Sequence, residues 1–443
     1  MPILSKEEAQ ALLKKVLSYS KAEQCEINLN GREGGNIRYA LNAVSTAGDI
    51  STLGLAVSST FGKKTGTATI NEFDDASLEK VVRRAEELAQ LAPANPEYME
   101  PLGPQTFAEA ATYNAQTAAM TPDSRADLVA QSLNVTKAAS LSAAGFLENE
   151  TRFSAVMNSK GLFAYNKGTD VTFSVTTRNQ AGTGSGYAAR GFTDVNKLDT
   201  GAATKIAAQK ALSSVGAKAI EPGKYTVILE PTAATYMLEN MFRFDARSAD
   251  EGRSFLSKRG GGTRLGEKLM DDKVTIYSDP FHPELPAATW NGDGQPLEKT
   301  YWVDKGVVKN LSYSRFWAEK KGVKPVPNPS NIIMEGGTMS LDDMIKSTER
   351  GILITRLWYI RMVDPQVLAL TGLTRDGTFY IENGKIKFPI KNMRFNESPV
   401  IMLNNVEALG KPERALSVES YRSYMIPPMK IRDFTFSSLS DAV

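Results

Sequence analysis

The stretch "GFLENETRFSAVMNSKGLFAYNKGTDVTFSVTTRNQ", residues 145–180, alternates apolar and polar side chains around the short turn signals "SKG" and "NKG". A period of two places every second side chain on one face of a sheet, so the segment is expected to form an antiparallel meander with one face buried. Helices bracket it. Thr121 as a cap with Pro122 at the first helical position opens "DSRADLVAQSLNVTKAA", and "TGAATKIAAQKALSSV" follows the meander. The glycine-rich "AGTGSGYAARG" (181–191) between them lacks Lys-Ser/Thr after its last glycine and misses the dinucleotide spacing. It reads as a hairpin tip instead of a phosphate loop.

Upstream, "SKEEAQALLKKVLSYS" has helical periodicity, with Ser5 and Glu8 placed for a capping box. Strands are expected at "CEINLN", "NIRYALNAV", "LGLAVSSTF" and "TGTATIN", with "GKK" as a hairpin tip. Ser77 then caps the helix "SLEKVVRRAEELAQLA", and the prolines of "PANPEYMEPLGPQ" mark a linker near residues 93–106. From about residue 220 helices become sparse and strand–turn–strand units take over: "KTYWVDKGVVKNLSYS", "GILITRLWYIRMV" and "GTFYIENGKIKFPI". Asn383 and Gly384 supply the positive φ values that a two-residue hairpin needs. Short helices are expected at the Ser340-capped "LDDMIKST" and in "NESPVIMLNNVEAL". The class is α+β: an N-terminal α/β region of strands flanked by helices (1–106), a central α+β unit (107–219), and a large β-rich C-terminal domain (220–443).

The 443 residues carry 52 basic and 50 acidic side chains, a formal charge of +2. That near-balance, with no long basic run, argues against nucleic-acid binding by general electrostatics. No apolar run is long enough to span a membrane, and the N-terminus reads as an amphipathic helix and not as a secretory signal. A single cysteine, Cys25, has no internal disulfide partner, which suits a reducing cytoplasm. There is one histidine, His282, so a His-rich zinc site cannot be assembled within one chain. Ser185 lies among glycines, yet its surroundings do not match G-x-S-x-G. His282, set between prolines in "SDPFHPELP", is poorly placed to serve it as a base. A hydrolase working through Ser185 or a carboxylate pair remains an alternative.

The stretch from 240 to 269, "NMFRFDARSADEGRSFLSKRGGGTRLGEKL", interleaves Arg243, Arg247 and Arg253 with Asp245, Asp250 and Glu251. In one reading the helix that carries Met237, Leu238, Met241 and Phe242 continues as a salt-bridged surface until the three glycines end it. In the other, the arginine forks contact a carboxylate, a peptide terminus or a partner's acidic surface.

The order of "PGKYTVILEPTAATYML", "SFLSKRGGGTRLGEKLMDDKVTIYSDP", "TGLTRDGTFYIENGKIKFPIKNMRF" and "PPMKIRDFTFSS" resembles the TldD/PmbA family, labelled "modulator of DNA gyrase" and associated with peptidase activity. The resemblance covers most of the chain and is best from about residue 220. Metal-bearing members of that family carry His-Glu-x-x-x-His on a central helix and a cysteine from the C-terminal domain. The resemblance places the helix motif near residues 242–247, where this chain reads "FRFDAR"; where the cysteine is expected it reads "SVESYRSYMIPP". The resemblance therefore implies the PmbA-like (TldE-like) branch. Such a chain has no zinc or other cofactor of its own. It pairs with a zinc-bearing TldD-like subunit as a heterodimer, or with itself, and meets an extended peptide substrate. A homodimeric peptide-binding or scaffolding protein without catalysis is the competing expectation. Direct action on gyrase or DNA has only the family label behind it.

Overall fold

A computed structural model describes residues 3–417 and 419–440 of the chain. Its first half is built on one six-stranded antiparallel sheet. The strands are β1 (Gln24–Ala40), β2 (Ala43–Phe61), β3 (Lys64–Ile70), β4 (Ser142–Asn158), β5 (Phe163–Arg178) and β6 (Ser185–Phe192), in the spatial order β3-β2-β1-β4-β5-β6. Segments 1–106 and 107–219 thus each give three strands to a common sheet.

The meander forms as its alternation predicts, but with longer strands. "SKG" is the β4–β5 turn, whereas Asn166, Lys167 and Gly168 of "NKG" lie inside β5, opposite Ser154, Phe153 and Arg152. A Cβ on Gly168 would come within 3.3 Å of the Thr112 carbonyl, so the chain just ahead of Ala115–Ala118 passes close to this glycine, which makes no turn. "CEINLN" and "NIRYA" likewise belong to one strand, β1. A Cβ on Gly34 would sit 2.1 Å from the Asn149 carbonyl oxygen, and one on Gly35 would sit 2.3 Å from the Arg125 guanidinium. The intervening glycines therefore permit close packing within a strand, and the chain reverses only at Leu41 and Asn42, both at positive φ (50° and 60°).

Helices cover the sheet. The capping box of α1 (Lys6–Ser18) is present, with Ser5 N donating to Glu8 Oε2 at 2.7 Å and Glu8 N donating to Ser5 Oγ at 3.1 Å. α2 (Asp75–Leu91) starts earlier than expected: Asp74 is its cap and accepts from the Ser77 amide, so Ser77 is the third helical residue. Leu13, Ile27, Leu29, Val57 and Val82 are fully buried between these helices and the sheet. Each contributes about 1.5–3 kcal/mol of apolar transfer free energy. α3 (Ala115–Ala118), α4 (Pro122–Ala138, capped by Thr121) and α5 (Thr200–Ser213, capped by Asp199) complete this half.

The C-terminal half is β-rich. One path of strands runs Leu357–Asp364, Ala369–Thr374, Met393–Glu397, Met429–Leu439, Lys224–Leu229, Arg350–Ile354, Thr378–Glu382, Lys385–Pro389, and Val406–Leu409 adds to the strand Met429–Leu439. The Lys224–Leu229 and Arg350–Ile354 pair is parallel, which makes this a mixed sheet. The Asn383–Gly384 hairpin closes as expected, with φ of 50° and 71°. Ser340 caps Leu341–Lys346, and the stretch expected as a second short helix divides into the helix Pro399–Asn404 and the strand Val406–Leu409. A second six-stranded sheet includes Ile276–Ser278, Thr300–Asp304 and Glu413–Ser417. Two short helices, α6 (Pro231–Leu238) and α7 (Ala246–Asp250), lie where the functional segment begins. No helix among the described residues is long and apolar enough to cross a membrane.

Candidate functional site

The helix carrying Met237 and Leu238 does not run on through the charged stretch. α6 ends at Leu238, the chain crosses residues 239–245 without helix, and α7 provides one further turn. The break follows from burial: Met241 and Phe244 are fully buried and Phe242 nearly so. Phe244 stacks on Trp302 with ring centroids 5.3 Å apart, and Phe242 tilts against Tyr424 at 5.5 Å. A continuous helix would turn some of these side chains to water, so the backbone extends instead and Ser312 N donates to the Phe244 carbonyl at 2.7 Å. α7 stops before Gly252 (φ 77°). The three glycines 260–262, all at positive φ, form a separate tight turn in which Lys258 N donates to the Gly262 carbonyl.

The six charged residues fall into two sets. Asp245 caps α7, accepting from Ser248 N at 2.7 Å. Arg247 makes a fork to Glu97 in the linker (2.8 and 2.9 Å), reaches Glu251 at 3.0 Å and lies 5.2 Å over the Trp317 ring. Those pairings raise its pKa, with Glu97 the largest cause. Asp250, whose side chain is 11% exposed, accepts from Trp317 Nε1 at 2.8 Å and pairs with Lys321 at 3.0 Å. Arg247 and Asp250 thus brace α7 against the linker and the helix Arg315–Lys321, while Asp245 closes the first turn of α7.

Arg243, Glu251 and Arg253 face water. Glu251 accepts from Arg253 Nε at 3.1 Å, and its carboxyl lies below the usual range, chiefly because of Arg253 and then Arg247. Gln366 Nε2 donates to the Gly252 carbonyl at 3.0 Å, which sets the charged turn beside the hairpin tip between Leu357–Asp364 and Ala369–Thr374. That hairpin exposes Tyr359 (51%), Met362 (43%), Val363 (64%) and Val367 (57%). An apolar patch rimmed by charges is the usual anatomy of a protein–protein contact.

Sequence reasoning passed over Glu239, at the end of α6. It is half-buried, accepts from Ser420 Oγ at 2.8 Å, and desolvation pushes its carboxyl above the usual range. It also passed over Arg356 and Asp376, which meet Ser185. Ser185 Oγ donates to Asp376 Oδ1 at 2.8 Å, and Arg356 Nη1 donates to Asp376 Oδ2 at 2.6 Å. Arg356 lies 3.7 Å over the Tyr187 ring. Ser185 is therefore on β6, at the junction with the C-terminal half; of "AGTGSGYAARG" only residues before 185 form the hairpin tip. The group beside the Ser185 hydroxyl is the Asp376 carboxylate and not His282, which accepts from Glu284 N through Nδ1 in a loop next to Asp279.

Cys25 is buried in the N-terminal core, and burial pushes its thiol pKa up. Among the described residues no three His, Cys, Asp or Glu side chains converge as a metal site requires.

Three family models match in chain order: PmbA/TldA metallopeptidase domain 1 over residues 25–89, the central domain over 101–215 and the C-terminal domain over 222–438. The chain belongs to the PmbA/TldD family. Similar curated PmbA/TldD relatives include a metalloprotease from Methanothermobacter thermautotrophicus, 24% identical over 51% of each chain. Another is the metalloprotease PmbA of Escherichia coli O157:H7, 25% identical over 38% of this chain and 37% of the relative. The chain spans about half or less of the length of these two. Solved structures share the fold throughout. A candidate modulator of a DNA gyrase from Thermotoga maritima superposes with a TM-score of 0.87 at 18% identity, covering 97% of this chain and all of the other. TldE from Thermococcus kodakarensis gives 0.83 at 18% identity over 97% and 99%. The homologues' names make this a peptidase-family protein.

Proposed function

We propose that this chain is the metal-free subunit of a two-component PmbA/TldD-type peptidase, shaping the substrate chamber while a metal-bearing relative supplies zinc. The observation that carries the reading is the mismatch between a metallopeptidase fold and a chain with a single, buried thiol and a single, loop-borne imidazole, whose carboxylates form no three-residue cluster with them among the described residues. A catalytic zinc takes three protein ligands and leaves one position for water, and the glutamate beside it handles that water's proton. With those groups in the partner, this chain's part is to bind, orient and exclude water. Arg243, Glu251 and Arg253, with the exposed hairpin residues Tyr359, Met362, Val363 and Val367, form the partner- or peptide-facing surface. Asp245, Arg247 and Asp250 hold that surface in shape.

The test is metal analysis of the purified chain, followed by co-expression with a His-Glu-x-x-x-His relative from the same genome. The expected result is no stoichiometric zinc in this chain alone and chelator-sensitive peptide cleavage by the pair. One tightly held zinc per chain, or full chelator-resistant cleavage by this chain by itself, would overturn the reading.

A further inference from the structure

An asparagine followed by glycine exposes its side-chain amide to attack by the next backbone nitrogen, because glycine puts no side chain in the way. The chain has three such pairs: Asn30–Gly31, Asn291–Gly292 and Asn383–Gly384. The fold treats them differently. Asn30 and Gly31 lie inside β1, in register with β2 on one side and β4 on the other, so their backbone is held extended. Gly384 donates its N–H to the Thr348 carbonyl at 2.9 Å, and attack through that nitrogen would first break the bond. Gly292 is exposed, and its N–H has no acceptor among the described residues.

Asn291 supplies the other half of the reaction. Its Oδ1 accepts from Asp293 N at 3.1 Å and from Gln295 N at 2.9 Å, and its Nδ2 donates to Gln295 Oε1 at 3.1 Å. The bond from Asp293 N closes a ring through Asn291 Cγ and the Gly292 peptide, which folds the side chain over the following residue. Two N–H donors on one carbonyl oxygen draw electrons from Cγ. They are also in place to hold the negative charge that Oδ1 acquires when Cγ is attacked. Residues 291–293 line a cavity of about 390 Å³ open to water.

We propose that Asn291–Gly292 is a site of self-modification, at which the asparagine loses its amide through a cyclic imide. Gly292 N gives its proton to water and bonds to Asn291 Cγ. The Cγ–Nδ2 bond breaks, and the nitrogen takes up a proton and leaves as ammonia. Water then adds to one of the two imide carbonyls and opens the ring to aspartate or isoaspartate at position 291. One water is consumed, one ammonia is released, and nothing is oxidised or reduced. The loop is where the C-terminal half rests on the β4–β5 turn: a Cβ at Gly294 would sit 2.3 Å from Leu162, and the Trp290 ring lies 6.4 Å from that of Phe107. Either product adds a carboxylate next to that of Asp293, and isoaspartate also lengthens the main chain at this contact. The inference is independent of the peptidase reading.

Peptide mapping by mass spectrometry of the full chain, stored folded at neutral pH, tests it. Methylation by an isoaspartate-specific methyltransferase is a second readout. Residue 291 is expected to convert about tenfold or more faster than residues 30 and 383, a difference of about 1.4 kcal/mol in barrier. Its rate should rise with pH, because the attacking nitrogen must lose its proton. In concentrated urea the three sites should converge, since they share the Asn–Gly pair and lose their surroundings. A Cβ at Gly292 would meet nothing within 4 Å, so Gly292→Val should fold and should slow the reaction at 291. If that variant misfolds, the wild type compared folded and in urea still decides. An unconverted residue 291, equal rates at the three sites in the folded chain, a ratio that persists in urea, or a folded Gly292→Val variant that converts as fast as wild type would each overturn the proposal.

Discussion

Two arginine–carboxylate clusters tie together segments far apart in this chain, and they differ in how much water reaches them. At the junction of the two halves, Asp376 has a fully buried side chain and receives both Ser185 of β6 and Arg356, itself 12% exposed. At α7, Arg247 (40% exposed) and Glu97 (41%) make a better-shaped fork that stands in solvent. Geometry alone would rank the fork first. Solvation reverses the order, because a buried charge that loses its partner keeps the full desolvation cost while an exposed one is rehydrated. The buried cluster is therefore a stiff tie between the halves, beside the Lys210–Glu230 pair and the packing of Tyr187 and Ala189 on Leu416, and the exposed one is an adjustable brace next to the proposed contact surface.

The largest predicted effect breaks the joint. Asp376→Ala strands Arg356 beside the Tyr187 ring and should cost about 3–5 kcal/mol in urea unfolding; a loss below about 1 kcal/mol would mean that water already compensates Arg356. Next is Asp250→Ala, which leaves Trp317 Nε1 and Lys321 without their acceptor at a mostly buried position. About 1.5–3 kcal/mol is expected there. Ser185→Ala removes one hydrogen bond from Asp376 and should cost about 1 kcal/mol. Any peptide cleavage by the paired complex should be unchanged, and a loss of turnover without loss of stability would return Ser185 to the list of reacting groups. Glu97→Ala releases the exposed fork for about 0.2–1 kcal/mol, an effect that high salt should shrink.

The smallest effect is one of pH. The Glu251 carboxyl is depressed in the folded state, first by Arg253. Its contribution is therefore present above the unfolded-state pKa and is lost as pH falls through the lower folded value. Melting temperatures of Glu251→Gln and wild type should differ at neutral pH and converge in acid. A gap that widens toward acid would contradict the assigned sign.

Much of the fold was legible. Capping residues at Ser5, Thr121 and Ser340, the Asn383–Gly384 hairpin and the alternation around residues 145–180 act within a few residues, so their physics is written locally. The misread elements share another cause. Gly34, Gly35 and Gly168 look like turn residues, but each lies inside a strand with a distant group alongside: the Asn149 backbone, which leaves no room for a Cβ at Gly34, the Arg125 side chain at Gly35 and Thr112 at Gly168. The helix expected through residues 239–245 gives way because Phe242 and Phe244 find aromatic partners at Tyr424 and Trp302. Of the charged segment, the sequence identified the residues but not their division of labour. No local rule pairs Arg247 with Glu97, 150 positions away, or brings Asp376 to Ser185.

Composition and short-range pattern by themselves determined the α+β class, the succession of helix-flanked strands and β-rich tail, and the scarcity of imidazole and thiol, because each depends only on residue type and near neighbours. Only the tertiary structure decided which glycines are close-packing sites, which charges are buried, and which of the three Asn–Gly pairs keeps a free amide. Those outcomes depend on what the rest of the chain brings within a few ångströms, where exclusion of water and of other atoms sets the energy.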